Sequence, residues 1–211
     1  MNRSDISSRG IRTICSPGPG IFFGLAGIIV LLATSMAEEV VPGFSVKYQA
    51  ISTLGGAGYP TMLYWNVQLL VVGMLWIAGT RILFRKSKSY FALVDFYFMG
   101  FGLLLVSLDP WNVNPLLHEI GAISVAFFGA IAALLSSRIV RGYIRYFSVF
   151  LGTLSLFALF GNAWMSAVFG PGGAERVVYY PIFFWAILFG GVLIGKNPIP
   201  GVNRIQPEKV I

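Results

Sequence analysis

The side chains of this 211-residue chain that could support chemistry are few. His118 is the only histidine, and Asp109 and Glu175 are the acids that we expect near it. A histidine oriented by a carboxylate can act as a general base, or such a group can contribute to a carboxylate-rich metal site. The simpler interpretation is a histidine near a helix start that hydrogen-bonds a loop. Because His118 is the only histidine and Cys15 the only cysteine, a zinc site of several Cys or His residues and a bis-His haem are excluded for one chain. We expect no metal and no cofactor.

Asp95 is the one carboxylate that falls clearly within an apolar stretch. Counted from Lys88, it lies roughly 10 Å into a helix that rises 1.5 Å per residue. An acid inside a membrane is a functional hypothesis by default, here a small-solute transporter centred on Asp95. The alternative is a structural ion pair with Arg81 or Arg138. In either case we expect Asp95 to be buried against protein rather than exposed to lipid.

A second group of polar residues belongs to one end of the predicted helices: Ser52, Asn66, His118, Glu175 and Arg176. We expect these five candidate ligand-binding residues to converge on one outward-facing pocket. Arg176 follows Glu175 at a predicted helix start, and a planar guanidinium there is expected to bridge that acid and an anionic lipid headgroup.

Six apolar stretches must position these residues, at approximately 20–38, 61–83, 89–108, 115–137, 146–169 and 176–195. Each is close to the roughly 20 residues that cross a hydrocarbon core of about 30 Å as a helix. Hydrophobic residues make up 56% of the chain and charged residues 11%, which is too apolar for a soluble domain of this length. The sequence therefore predicts an all-α polytopic membrane protein, a six-transmembrane-helix bundle that forms one domain over residues 1–211.

The basic residues favour one side of this predicted bundle. Thirteen of the fifteen Lys and Arg residues fall in alternate gaps between the apolar stretches, and only Lys47 and Arg176 fall in the others. Short basic loops resist translocation, so the sequence predicts both termini in the cytoplasm and a multi-pass protein of the cell membrane. The first stretch also resembles a signal peptide that ends at Ser35-Met36-Ala37, but its length and its glycines favour a retained helix.

The net charge of +7 could suggest a nucleic-acid partner. The cations form short clusters on one predicted side of a membrane, where anionic lipid headgroups are the nearest counter-charge. We therefore expect membrane lipids or a membrane-protein partner, and no nucleic acid.

An ordered set of short motifs resembles a known family. The motifs are YQAISTLG at 48–55, YWNVQL at 64–69, a polar turn before the histidine, and GAERV at 173–177 ahead of Tyr180-Pro181 and Trp185. From about residue 20 to residue 195 the chain resembles the six-helix prokaryotic membrane family known as domain of unknown function 998. Thr53 departs from the family pattern, in which an acidic or polar residue is common. The characteristic family positions are matched by Ser52, Leu54, Gly55, Asn66, His118, Glu175 and Arg176.

The resemblance implies the fold and the topology and supplies no established activity. It also implies a remote likeness to the Frag1 and DRAM-type membrane proteins, some of which are associated with lipid remodelling or distribution, a likeness at the level of fold only.

Three hypotheses about function follow. The leading one is a non-enzymatic protein whose outward-facing polar pocket binds a lipid headgroup or a partner. The second is a membrane-embedded lipid-modifying enzyme, with His118 as base and Glu175 or Asp109 as its orienting acid. The third is the transporter centred on Asp95. A large outer cavity with His118 hydrogen-bonded to a carboxylate would favour the enzyme, and a polar path past Asp95 would favour transport.

Overall fold

In the computed structural model, which describes residues 18–86 and 91–195, six α-helices account for most of the chain. A short 3-10 helix, Ile51–Gly55, lies between the first two. The predicted all-α membrane bundle is confirmed at this level: five helices are long and apolar enough to cross a membrane, and α3 adds the shorter apolar segment Val94–Leu108. The helices are α1 Pro19–Val40, α2 Met62–Lys86, α3 Phe91–Leu108, α4 Pro115–Ser136, α5 Tyr143–Phe160 and α6 Asn162–Gly195.

The fifth helix ends earlier than the hydropathy pattern suggests. α5 stops at Phe160, capped by Gly161, whereas the apolar stretch continues to about residue 169. The remaining residues belong to α6, which is interrupted by a non-helical Gly170. The break at Gly161 lies inside one continuous apolar stretch, so hydropathy alone cannot detect it, whereas the break at Gly170 falls in the gap between the predicted stretches 146–169 and 176–195. The predicted termini and seven of the basic residues that support the topology argument lie outside the described residues: Arg3, Arg9, Arg12, Lys88, Lys196, Arg204 and Lys209. Cys15 lies outside them as well.

The six helices form a closed ring. Each helix packs against the next one along the chain, and α6 returns to pack against α1. The closing contact is narrow because it uses glycine: a Cβ built at Gly20 would lie 2.3 Å from the Gly190 carbonyl oxygen. Close backbone approach between small residues is the usual basis of helix association in lipid.

An aromatic cluster fills the half of the bundle in which α1 begins and α6 ends. Its members are all fully buried: Phe23, Trp76, Phe96, Trp185 and Phe189. Ring centroids lie 4.9 Å apart between Phe23 and Trp76 and 5.2 Å apart between Trp185 and Phe189. The Trp76 indole N–H donates to the Phe96 carbonyl at 2.9 Å. These rings occupy the interior of that half, so the internal cavity described below lies toward the opposite end.

Candidate functional site

Residues 41–61, called the outer segment below, lie at that opposite end and are fastened to α6 by Arg176. The Arg176 side chain is 7% exposed. Its Nη2 lies 2.5 Å from Glu38 Oε1 on α1, and its Nη1 donates to the main-chain carbonyls of Val46, Gln49 and Gly172 at 2.9, 3.2 and 2.7 Å. A guanidinium carries five N–H donors in a planar fork, which suits this set of acceptors. Arg176 therefore joins α1, the outer segment and α6.

Glu175 holds the 3-10 helix of the outer segment. Its carboxylate accepts the backbone N–H of Ile51, and Ser52 lies in the same cavity wall as Glu175. Consecutive residues of an α-helix point roughly 100° apart, because the helix has 3.6 residues per turn. Glu175 and Arg176 consequently bind different parts of the outer segment.

Asn66 supports the other end of the 3-10 helix. Its Nδ2 donates to the Gly55 carbonyl at 3.0 Å, and the Thr61 hydroxyl donates to the Leu54 carbonyl at 2.8 Å. A Cβ at Gly55 would lie 2.4 Å from Asn66 Oδ1 and 2.5 Å from Trp65 Cδ1. Glycine is therefore the residue that lets the 3-10 helix rest directly on α2.

His118 lies in the first turn of α4, after an Asn114 cap whose side chain accepts the Leu117 N–H at 3.3 Å. Its ring Nδ1 is 2.7 Å from the main-chain oxygen of Asp109. A carbonyl oxygen only accepts hydrogen bonds, so Nδ1 carries the hydrogen, and Nε2 is an acceptor while the ring is neutral. Nε2 is buried and has no hydrogen-bond partner among the described residues.

A cavity of about 60 Å³ lies beside the 3-10 helix, between α1, α2, α3, α4 and α6. Ser52, His118, Glu175 and Tyr179 contribute polar groups to its wall, and the Tyr179 hydroxyl donates to the Ala122 carbonyl at 3.0 Å. This volume admits a few water molecules or one small polar group, because a single water needs roughly 10–15 Å³ on this measure. The rest of the wall is mainly apolar: Val30, Leu69, Leu103, Val106, Val125 and Phe183.

The structure brings three of the five candidate ligand-binding residues to this cavity. Ser52, His118 and Glu175 line it, whereas Asn66 and Arg176 are not among its lining residues. The expected bridge from Glu175 through Arg176 to an anionic headgroup is replaced by the ion pair of Arg176 with Glu38. The two neighbours diverge along the helix: the outer segment supplies main-chain carbonyl acceptors to Arg176 and the Ile51 N–H donor to Glu175.

The orienting group of His118 also differs from expectation. Asp109 holds the ring through its main-chain carbonyl rather than its carboxylate. Among the described residues, His118 forms no hydrogen bond with Glu175. The structure therefore lacks the hydrogen bond from His118 to a carboxylate, among the described residues, that would favour an enzyme.

The order of these residues along the chain matches a family. The family model described as Protein of unknown function (DUF998) matches residues 25–192. The chain belongs to the DUF998 family. No curated protein and no solved structure matches it. The remote likeness to the Frag1 and DRAM-type proteins has no match to support it and stays an expectation.

In this DUF998 protein the motif residues chiefly assemble one end of the bundle around a small cavity. Sequence reasoning missed Glu38 and Tyr179. Glu38 could have been suspected, because it is one of the few acids at the same predicted end as Arg176. Tyr179 carries no comparable signal, since a tyrosine near a helix end is usually an interfacial anchor.

Asp95 lies apart from this cavity. The DUF998 protein keeps it partly buried on α3, and no salt bridge joins its carboxylate to Arg81 or Arg138, all three of which the structure describes. Asp95 is not among the residues that line the cavity. Within the described residues there is also no cluster of three or more His, Cys, Asp or Glu residues that could hold a metal ion.

Proposed function

We propose that this DUF998 protein is a non-enzymatic integral membrane protein that binds the polar end of a membrane amphiphile beside His118. The observation that carries the proposal concerns His118, which lines the cavity and is only 8% exposed: its Nε2 has no hydrogen-bond partner in the described part of the chain. An unsatisfied buried polar atom costs about 1–3 kcal/mol, which a bound hydrogen-bond donor would recover.

The polar groups of the cavity wall limit the chemical class of the ligand. Neutral His118 offers an acceptor at Nε2, so the ligand must supply a donor such as a hydroxyl or an amine. Among the described residues that line the cavity there is no Lys or Arg, and Arg176 is engaged elsewhere. A phosphate would thus lack a counter-charge in the cavity. The ligand group is neutral or cationic, and its apolar remainder suits the aliphatic wall.

The membrane side follows from the basic residues. The positive-inside rule assigns the end that carries the outer segment to the non-cytoplasmic side of the cell membrane, with both termini in the cytoplasm. The amphiphile accordingly comes from the outer leaflet.

The test is native mass spectrometry of the protein purified in a mild detergent with its co-purifying lipids. In His118→Asn the shorter amide keeps a donor near Nδ1 for the Asp109 carbonyl and removes the Nε2 acceptor. Losing one hydrogen bond of roughly 1.4 kcal/mol should lower retention of the bound amphiphile about tenfold. Ser124→Ala is the matched control, because the one hydrogen bond of the Ser124 hydroxyl within residues 18–86 and 91–195 goes to the Ile120 carbonyl of its own helix. Equal retention in wild type and His118→Asn would overturn the proposal.

The lipid-modifying enzyme is the second candidate, because Ser52, His118 and Glu175 share one cavity. Incubating the wild-type protein with the retained amphiphile distinguishes the two functions. If the mass of that amphiphile changes with the wild-type protein but not with His118→Asn, the enzyme hypothesis would replace the binding proposal. An amphiphile recovered unchanged would support binding.

A further inference from the structure

A second recess lies on the surface of α1 and α2, away from the cavity. It consists of two hollows that share Tyr64 and together are called the α1–α2 groove. The outer hollow, about 750 Å³, includes Ser35, Met36 and Glu39, and the inner hollow, about 530 Å³, includes Ile29 and Gln68. From Glu39 to Ile29 the groove spans about 15 Å at 1.5 Å per residue, which is half of a hydrocarbon core of about 30 Å. Its length matches one leaflet.

Gln68 is the unusual residue of this groove. Its side chain is 7% exposed, and neither its amide nitrogen nor its amide oxygen has a hydrogen-bond partner among the described residues. It lies about 9 Å along α2 from Met62, a depth at which water is scarce in a bilayer. Polar atoms without partners are costly there, so we expect another molecule to satisfy them.

The outer hollow supplies a charge at the membrane surface. Glu39 is exposed, and the half-exposed ring of Tyr64 lies between it and Gln68 along the groove. No Lys or Arg is among the residues that line either hollow in the described part of the chain. A carboxylate beside an aromatic ring favours a cationic group, through charge pairing and a cation–π contact.

We infer that the α1–α2 groove binds one zwitterionic phospholipid with an ammonium headgroup. The ammonium pairs with Glu39, an ester carbonyl accepts from the Gln68 amide after a change of its rotamer, and an acyl chain lies along Ile29, Val67 and Val71. The phosphate remains in the interfacial water. This site is separate from the cavity beside His118, because the two have no lining residue in common.

The test compares two added lipids, a phosphoethanolamine lipid and a phosphoglycerol lipid with the same acyl chains, by native mass spectrometry of the detergent-purified protein. Wild type should retain one phosphoethanolamine lipid in preference to the phosphoglycerol lipid. Gln68→Leu, which keeps a similar shape, and Glu39→Gln should each lower that retention about tenfold, the effect of losing one polar contact. Glu119→Gln, which changes an exposed acid on α4, is the control and should retain the lipid.

Three results would overturn this inference: unchanged retention in Gln68→Leu, equal retention of the two lipids by wild type, or a dimer that Gln68→Leu abolishes. The last result would assign Gln68 to a contact between two copies of the chain. His118→Asn should retain the phosphoethanolamine lipid. Failure of the inference for the α1–α2 groove can therefore be distinguished from failure of the proposal for the cavity beside His118.

Discussion

Glu175 and Arg176 are adjacent in sequence, yet each fixes a different part of the outer segment. Arg176 binds the stretch that contains Val46 and Gln49, and Glu175 binds the beginning of the 3-10 helix at Ile51. Charges near a membrane are tolerated where partners surround them, and here the main chain of the outer segment is the principal partner. The pair orders the segment that also forms one wall of the cavity.

Replacing Arg176 tests this structural role. Arg176→Gln leaves the Glu38 carboxylate without its ion-pair partner and removes the guanidinium that donates to three carbonyls. Breaking a buried ion pair on one side costs about 3–5 kcal/mol, so the thermal unfolding midpoint in detergent should fall clearly. Arg141→Gln, at an exposed position, should leave the midpoint unchanged. An Arg176→Gln protein that unfolds like wild type but loses a bound anionic lipid would restore the original headgroup-binding expectation.

The sequence could predict which residues share an end of the bundle, but not which of them touch. The common end of Ser52, His118 and Glu175 can be predicted because each lies near the end of a predicted helix. All three also lie in the family motifs. The partner of Arg176 depends on α1 packing against α6, across 138 residues of sequence. Hydropathy carries no information about that contact, and the main-chain acceptors of the outer segment have no sequence signature.

At the scale of elements, the break in α6 makes room for the outer segment. Gly170 adopts φ 78°, a left-handed backbone conformation that favours glycine. Two residues later, the Gly172 N–H donates to the Lys47 carbonyl at 3.0 Å. The outer segment can approach the α6 main chain this closely because these residues have no side chains.

Gly172→Ala should therefore displace the outer segment. A Cβ there would lie 2.2 Å from the Gln49 carbonyl oxygen and 2.4 Å from that of Val46, so backbone must move, at a cost of roughly 1–3 kcal/mol. Limited proteolysis near Lys47 should become faster than in wild type. Gly191→Ala on the same helix meets no heavy atom of the described residues within 4 Å of its new Cβ and should be cut like wild type. Equal cleavage in both variants would argue against the close packing.

At the scale of the whole molecule, the ring places the start of α1 and the end of α6 together. A Cβ at Gly20 would lie 2.9 Å from the Ile194 nitrogen. Five exposed arginines on helix ends and turns lie at this same end of the bundle: Arg81, Arg85, Arg138, Arg141 and Arg145. The start of α1, the end of α6 and these cations thus share one end of the bundle. The positive-inside rule predicts that this end faces the cytoplasm.

Cysteine labelling tests that orientation. With Cys15 replaced by Ser, Val113→Cys puts a thiol on the exposed turn before α4, and Arg141→Cys puts one on the exposed turn before α5. Because short basic loops stay in the cytoplasm, a membrane-impermeant maleimide added to intact cells should label Val113→Cys and spare Arg141→Cys. Opening the membranes should make both thiols reactive, which controls for accessibility. Labelling of Arg141→Cys alone in intact cells would invert the bundle, and the cavity beside His118 and the α1–α2 groove would then draw their lipids from the cytoplasmic leaflet.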